Sequence, residues 1–167
     1  MSKTINITIS DLWTANIKNP RVRQPVSSFD MTENIYIRVR LVVEMSGKTM
    51  PGMGYFGEDD VDIFEWLNIL QMVKNELVYD KNKTFNYQVP EQGEPIYQFS
   101  REDKWLYSSI VASAVTGAKA NPYWKRVPCL FAEFIEELDL ILGKLYRLLK
   151  TESPKYADDI WRKHVWM

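Results

Sequence analysis

The stretch Tyr97–Val111, YQFSREDKWLYSSIV, decides the fold of this 167-residue chain. Apolar and polar residues alternate on both sides of four consecutive charged residues, Arg101, Glu102, Asp103 and Lys104. A period of two sends successive side chains to opposite faces of a strand, so the pattern reads as a hairpin with a charged turn. Arg101 to Lys104 are predicted to form the turn and Trp105 to Val111 the second strand. A helix capped by Asp103 and running through Trp105, Leu106, Ser109, Ile110 and Ser113 is the competing reading. The strand is preferred because Trp105, Tyr107, Ser109 and Val111 alternate, and two serines beside β-branched residues are poor helix formers.

Working upstream, KTFNYQV and EPIYQF flank PEQGE, whose Pro and Gly mark a turn. Phe85, Tyr87 and Val89 fall on one face of the first of these, and the run of segments reads as a meander. Further back, Ile5, Ile7 and Ile9 alternate within Thr4 to Ile9. From Ile35 to Met45, Ile35, Ile37, Val39, Leu41 and Val43 oppose Tyr36, Arg38, Arg40, Val42 and Glu44. A short return strand is placed within Lys48 to Tyr55. Between the two early strands, Asn16 to Asn34 shows neither strand nor helix period and is expected to be a long irregular connection, a class of segment that often carries function.

Two segments have helical spacing. In GEDDVDIFEWLNILQMVKNELVYD, Ile63, Trp66, Leu67, Leu70, Val73 and Leu77 make one apolar stripe, with Asp59 or Asp60 as the expected cap. Negative side chains at that end complement the helix dipole. From Val127 to Leu149, Phe131, Phe134, Ile135, Leu138, Ile141, Leu142, Leu145 and Leu148 repeat at helical intervals, acidic in the first half and basic in the second. A terminal helix from Pro154 to Lys163 is a further expectation. The fold class is therefore α+β: an antiparallel meander with two main amphipathic helices, one early and one long near the C-terminus, in a single domain spanning 1–167.

The net charge of −1 provides no field to gather phosphate backbones, so nucleic-acid binding is not expected. No apolar run is long enough for a membrane span, and MSKTINITISDLW lacks a signal-peptide core, so a cytoplasmic protein is expected. One cysteine permits no intrachain disulfide and no multi-cysteine zinc site. Cys129 and the single histidine, His164, would be the first pair to consider for nucleophilic catalysis. Cys129 in VPCLF reads instead as a buried small hydrophobe, and His164 as a residue of the tail. GKTMPGMG lacks the upstream glycine of a phosphate loop. No catalytic residue, metal ligand or cofactor site is expected.

The carboxylates Glu58, Asp59, Asp60, Asp62 and Glu65 lack the spacing of a calcium loop. They read as helix capping with a solvated acidic face, or as a recognition surface for a basic partner. Trp66, Trp105 and Trp124 are flanked by charges, and a partly exposed Trp is a typical interface anchor.

GEPIYQFSREDKWLYSSIVAS followed by NPYWKRVPCLFAEFIEELDLIL resembles the small cytoplasmic immunity proteins of bacterial polymorphic and contact-dependent toxin systems. Those proteins often combine strands, a helix, a hairpin with a W-x-Y-x-S type strand, and a closing helix preceded by Trp. The likeness covers the order of elements from Tyr55 to Leu149. It implies a non-catalytic module that binds a cognate protein toxin and blocks it. The residues offer Glu58, Asp59, Asp60, Asp62, Glu65 and Trp66, with Trp105 and Tyr107 as anchors, to a basic groove on that toxin. A scaffold homodimer, or an enzyme with a deep pocket lined by Glu65, Tyr97, Arg101 or Glu133, are the other readings; monomer and homodimer both stay open.

Overall fold

A computed structural model describes residues 2–88 and 91–165, with the side chain of Ile35 left aside. Among the described residues, nine strands and three α-helices follow in the order β1 (Ile5–Asn16), β2 (Asn19–Pro25), β3 (Asn34–Met45), β4 (Lys48–Thr49), β5 (Val61–Asp62), α1 (Ile63–Val78), β6 (Thr84–Gln88), β7 (Ile96–Glu102), β8 (Trp105–Val111), β9 (Val127–Leu130), α2 (Phe131–Glu152) and α3 (Ala157–His164). The α+β class with antiparallel sheets is as expected. Helix α3 joins the two main ones in the place of the terminal helix expected from Pro154 to Lys163, and the strands divide into two sheets where one meander was anticipated. The first sheet runs β2-β1-β3-β4 with β5 on β3, and the second runs β6-β7-β8-β9.

The described chain separates into two compact units. One comprises Met1–Asn6, Glu44–Met50 and Ile69–Glu137, the other Ile7–Val43, Pro51–Asn68 and Leu138–Met167. The first unit holds the whole second sheet. Tyr97, Phe99, Leu106, Val127, Cys129, Phe131 and Phe134 are buried there. In the second unit Ile37, Val39, Leu41, Ile63, Leu67, Leu138, Ile141 and Leu145 are buried.

The hairpin of the opening stretch is tighter than its charge pattern indicates. Strand β7 continues through Glu102, which pairs with Trp105, and only Asp103 and Lys104 turn. Asp103 takes a φ of 51°, a left-handed conformation that Asp tolerates better than most residues. The second strand, Trp105–Val111, is as expected.

Three expectations are corrected. Asn16–Asn34 is irregular only in part: within it β2 pairs antiparallel with β1 through Trp13 and Pro25, Thr14 and Gln24, and Asn16 and Asn19, while 26–33 hold a short 3-10 turn and further turns. Almost all of β2 is exposed, so no alternation marks it, and its prolines suit an edge strand. Val127–Leu130 is strand β9 and not the start of the long helix, which begins at Phe131. The first helix is capped by Asp62, whose Oδ1 accepts the Glu65 backbone N–H at 3.2 Å, and not by Asp59 or Asp60. Val89, assigned above to a strand face, lies outside the described residues.

Two substitutions test the packing of α2. Leu138 is fully buried, and Leu138→Ala is expected to cost about 2–5 kcal/mol in denaturant unfolding. A loss under about 1 kcal/mol would contradict that packing. Gly143 stands mid-helix, where an added Cβ would meet only the Arg147 Nη1 at 3.5 Å. Gly143→Ala is therefore expected to stabilise the protein by about 0.5–1 kcal/mol through lost unfolded-chain entropy and better helix propensity.

Candidate functional site

The residues singled out in the sequence fall in two places, one in each compact unit. In the unit holding Pro51–Asn68, the acidic residues before and within α1 are largely engaged by the protein's own arginines. Asp59 pairs with Arg23 at 2.5 Å, and the same guanidinium lies 4.4 Å from the Trp13 ring centroid. The Asp59 carbonyl accepts the Trp13 indole N–H at 2.8 Å. The hydrogen bond from Arg23 holds the Asp59 carboxyl below its ordinary range. Glu58 pairs with Arg40 at 3.0 Å.

Asp60 is only 7 % exposed. Arg38 lies 3.7 Å from it, stacked between the rings of Tyr36 and Tyr55 at 4.3 and 4.6 Å. That guanidinium is thus held by one ion pair and two π-faces, while its Nε and Nη1 have no hydrogen-bond acceptor among the described residues. Asp62 is mostly buried at the start of α1, and burial raises its carboxyl above the ordinary value. Glu65 accepts the Tyr55 hydroxyl at 3.0 Å. Burial, with this bond second, pushes the Tyr55 phenol up to about 12.

Trp66 is 4 % exposed and donates its indole N–H to the Met53 carbonyl at 3.0 Å. It is a core residue and is not available as an exposed anchor. Trp124 is likewise buried, with its N–H on Ser108 Oγ at 3.0 Å. The expected acidic patch is therefore a network of alternating charge, in which Asp60, Asp62 and Trp66 serve the fold. Phe56, which sequence reasoning passed over, protrudes from the adjoining loop. Its signal was a bulky apolar residue inside GYFG, a segment with no apolar period to bury it.

Trp105 and Tyr107 belong to the four-stranded sheet of the other unit. Pairing of Ser100 with Tyr107 and of Glu102 with Trp105 sets these residues on one face, opposite buried Tyr97, Phe99 and Leu106. Gln98 and Asn86 continue the half-exposed face onto β6, joined by a side-chain hydrogen bond of 3.1 Å. Lys104 Nζ lies 5.7 Å from the Trp105 ring centroid, and the Arg126 guanidinium 4.1 Å from that of Tyr107.

Arg126 was not foreseen as part of this face. It has a left-handed φ of 51°, a costly conformation for a long side chain. Its N–H donates to Ser109 Oγ at 2.9 Å, and its Nη2 reaches both Glu102 oxygens at 2.9 Å. The guanidinium is thereby fixed over Tyr107. Nothing local in the sequence marks Arg126, since Glu102 lies 24 residues away.

Cys129 is fully buried, and burial pushes its thiol up to about 12, which removes thiolate chemistry near neutrality. His164 stacks on Phe64 at 5.0 Å, and its backbone carbonyl accepts the Asn68 amide at 2.6 Å. A cavity of about 490 Å³ is lined by Leu142, Gly143, Tyr146, Asp158, Trp161 and Arg162, with none of Glu65, Tyr97, Arg101 or Glu133. Among the described residues no group of three or more His, Cys, Asp or Glu side chains is placed to hold a metal ion. None of the described helices is long and apolar enough to cross a membrane. Comparison with protein-family models, curated proteins and solved structures returned no match to this chain.

The two titrating groups at α1 act in opposite directions. Burial lowers the His164 pKa from 6.5, so the unfolded chain binds the extra proton first. Its contribution is full above pH 6.5 and falls as pH drops through that value towards the lowered one. His164→Phe keeps an aromatic ring on Phe64 and is expected to flatten this acid loss in stability measured against pH. An unchanged slope would contradict the assignment. Asp62 binds its proton more readily in the folded state, so its contribution is present at low pH and is lost as pH rises through its raised value. Asp62→Asn, which retains a capping oxygen, is expected to be neutral or stabilising at pH 7, whereas Asp62→Ala costs about 1 kcal/mol.

Proposed function

We propose that this protein is a non-catalytic binding module of the immunity class, which captures a cognate protein toxin in the cytoplasm and blocks it without turnover. The observation that carries this reading is the half-exposed face of the β6–β9 sheet, where Trp105 and Tyr107 stand among Asn86, Gln98, Ser100 and Glu102. Large aromatic rings bring contact area at little entropic cost, and short polar side chains supply adaptable hydrogen bonds. Aromatic and arginine side chains are also the residue types that dominate measured binding hot spots. Arg126 is held in place by Glu102 before any partner arrives, which lowers the ordering cost of association.

The charge of the partner follows less simply than the sequence implies. A basic groove would meet carboxylates already paired with Arg23, Arg38 and Arg40, so the net attraction from Glu58–Glu65 is modest. The proposal therefore places recognition on the aromatic sheet face and leaves the exposed Glu58 and Asp59 to influence encounter rate.

The test is binding of the purified protein to the toxin domain encoded beside it, with suppression of that toxin's effect on growth. A one-to-one complex is expected, and the Trp105→Ala/Tyr107→Ala double variant should weaken it by about 30-fold or more while remaining folded. Growth that is never rescued by the wild-type protein would sink the immunity reading. Rescue unaffected by the double variant would move the binding surface elsewhere.

A further inference from the structure

Phe56 is 96 % exposed, the most solvated large apolar side chain among the described residues. A side chain of this size buries well over a hundred square ångströms when docked, so leaving it in water forfeits a large hydrophobic gain. The loop that displays it is closely determined. Tyr55 N–H donates to the Asp60 carbonyl at 3.1 Å, and Asp60 N–H to the Gly57 carbonyl at 3.2 Å. A Cβ on Gly54 would lie 1.8 Å from the Gly57 oxygen, so only glycine permits this closure. Next to Phe56, Tyr55 is held by the Glu65 carboxylate and by the Arg38 guanidinium over its ring. One aromatic of the pair is tied down while the other is thrust outward.

The surroundings identify the kind of surface that fits. Exposed ion pairs of both signs, Arg40 with Glu58 and Arg23 with Asp59, stand beside the loop. An apolar anchor on a fixed backbone, flanked by charged and polar groups, has the layout of a hot spot with its water-excluding rim. The arginines beside the loop are each paired with a carboxylate, so no cluster of unpaired cations is offered there to an anionic lipid surface. Paired charges of both signs suit a partner whose own rim carries both.

We propose that Phe56 is a preorganised anchor that docks into an apolar socket, rimmed by charges of both signs, on a folded partner protein. This deepens the binding-module reading, on which it rests, by assigning that function a second contact surface in the unit holding Pro51–Asn68.

The test replaces Phe56 with photo-reactive benzoylphenylalanine in the full-length protein, expressed in the native cell, with Tyr79, also highly exposed, replaced likewise as a control. Illumination is expected to yield one predominant adduct from position 56 that position 79 does not give. The protein so captured, purified, should bind the wild-type chain, and Phe56→Ser should weaken that binding by about 30-fold or more with no change in thermal stability, while Phe56→Trp largely retains it. No adduct, an adduct with a second copy of this chain, or Phe56-dependent sedimentation with phosphatidylcholine–phosphatidylglycerol vesicles in its place would each overturn the proposal. If the captured protein is not a toxin, the immunity reading falls and the anchor stands. If the co-encoded toxin is neutralised by wild type and Phe56→Ser alike, the anchor falls and the immunity reading stands.

Discussion

Arg101 occupies the buried side of β7, in register with Leu106, and makes three kinds of contact there. Its Nη1 donates to the Leu77 and Val78 carbonyls at 2.8 and 2.9 Å, its Nε donates to the Asp103 carbonyl at 2.8 Å, and the guanidinium lies 4.2 Å from the Phe131 ring centroid. A single cation therefore closes the β7–β8 turn, satisfies final carbonyls of α1 where the dipole is negative, and covers the first residue of α2. The register of the hairpin depends on this arrangement. A slip by one residue would bring Tyr97, Phe99 and Leu106 to the exposed face and bury Trp105, Tyr107 and Glu102.

The four charged residues that interrupt the opening stretch thus divide their tasks. Arg101 goes inward. Glu102 goes outward to Arg126, Asp103 supplies the left-handed turn residue, and Lys104 covers Trp105 while its carbonyl accepts the Phe131 N–H at 2.9 Å. The same charge run that shapes the hairpin also prepares its outer face, because the carboxylate fixing Arg126 over Tyr107 belongs to it. Arginine plays a parallel part in the other unit, where Arg23, Arg38 and Arg40 each take a carboxylate from 58–60 and two of them lie over aromatic rings. These contacts leave surface composed of aromatic rings and balanced charge, which favours shape-specific contact over long-range attraction.

Elements with one buried face were legible because burial imposes a period: Trp105–Val111, the Ile63–Leu77 stripe and the Phe131–Leu148 repeat all appear where the pattern places them. Where no face is buried, no period exists. Strand β2 forms through backbone pairing with β1 and is nearly all exposed, so its residues carry no trace of it. Strand β9 was absorbed into the following helix because Val127–Leu130 is too short to set a period against 22 helical residues. The two sheets follow one another along the chain, β1–β5 before α1 and β6–β9 after it, but no local window shows that the strands on either side of that helix do not pair with each other. Of the candidate site, the place of Trp105 and Tyr107 on one face of a strand was legible from alternation. Trp66 and Asp60 were misplaced: Trp66 belongs to the apolar stripe of α1 and is buried with it, and Asp60 is drawn inward beside Arg38. Arg126 was missed since its partners, Glu102 and Tyr107, are nonlocal.

The central claim is that the aromatic face of the β6–β9 sheet meets the partner. Hydroxyl-radical footprinting of the protein, free and saturated with the protein toxin proposed as its partner, tests it at the level of side chains. Trp105 and Tyr107 are half-buried; both are expected to be oxidised in the free protein and much less in the complex, while exposed Tyr123 and Val115 keep their labelling. Equal oxidation of Trp105 and Tyr107 in free and bound protein, at confirmed saturation, would contradict the claim.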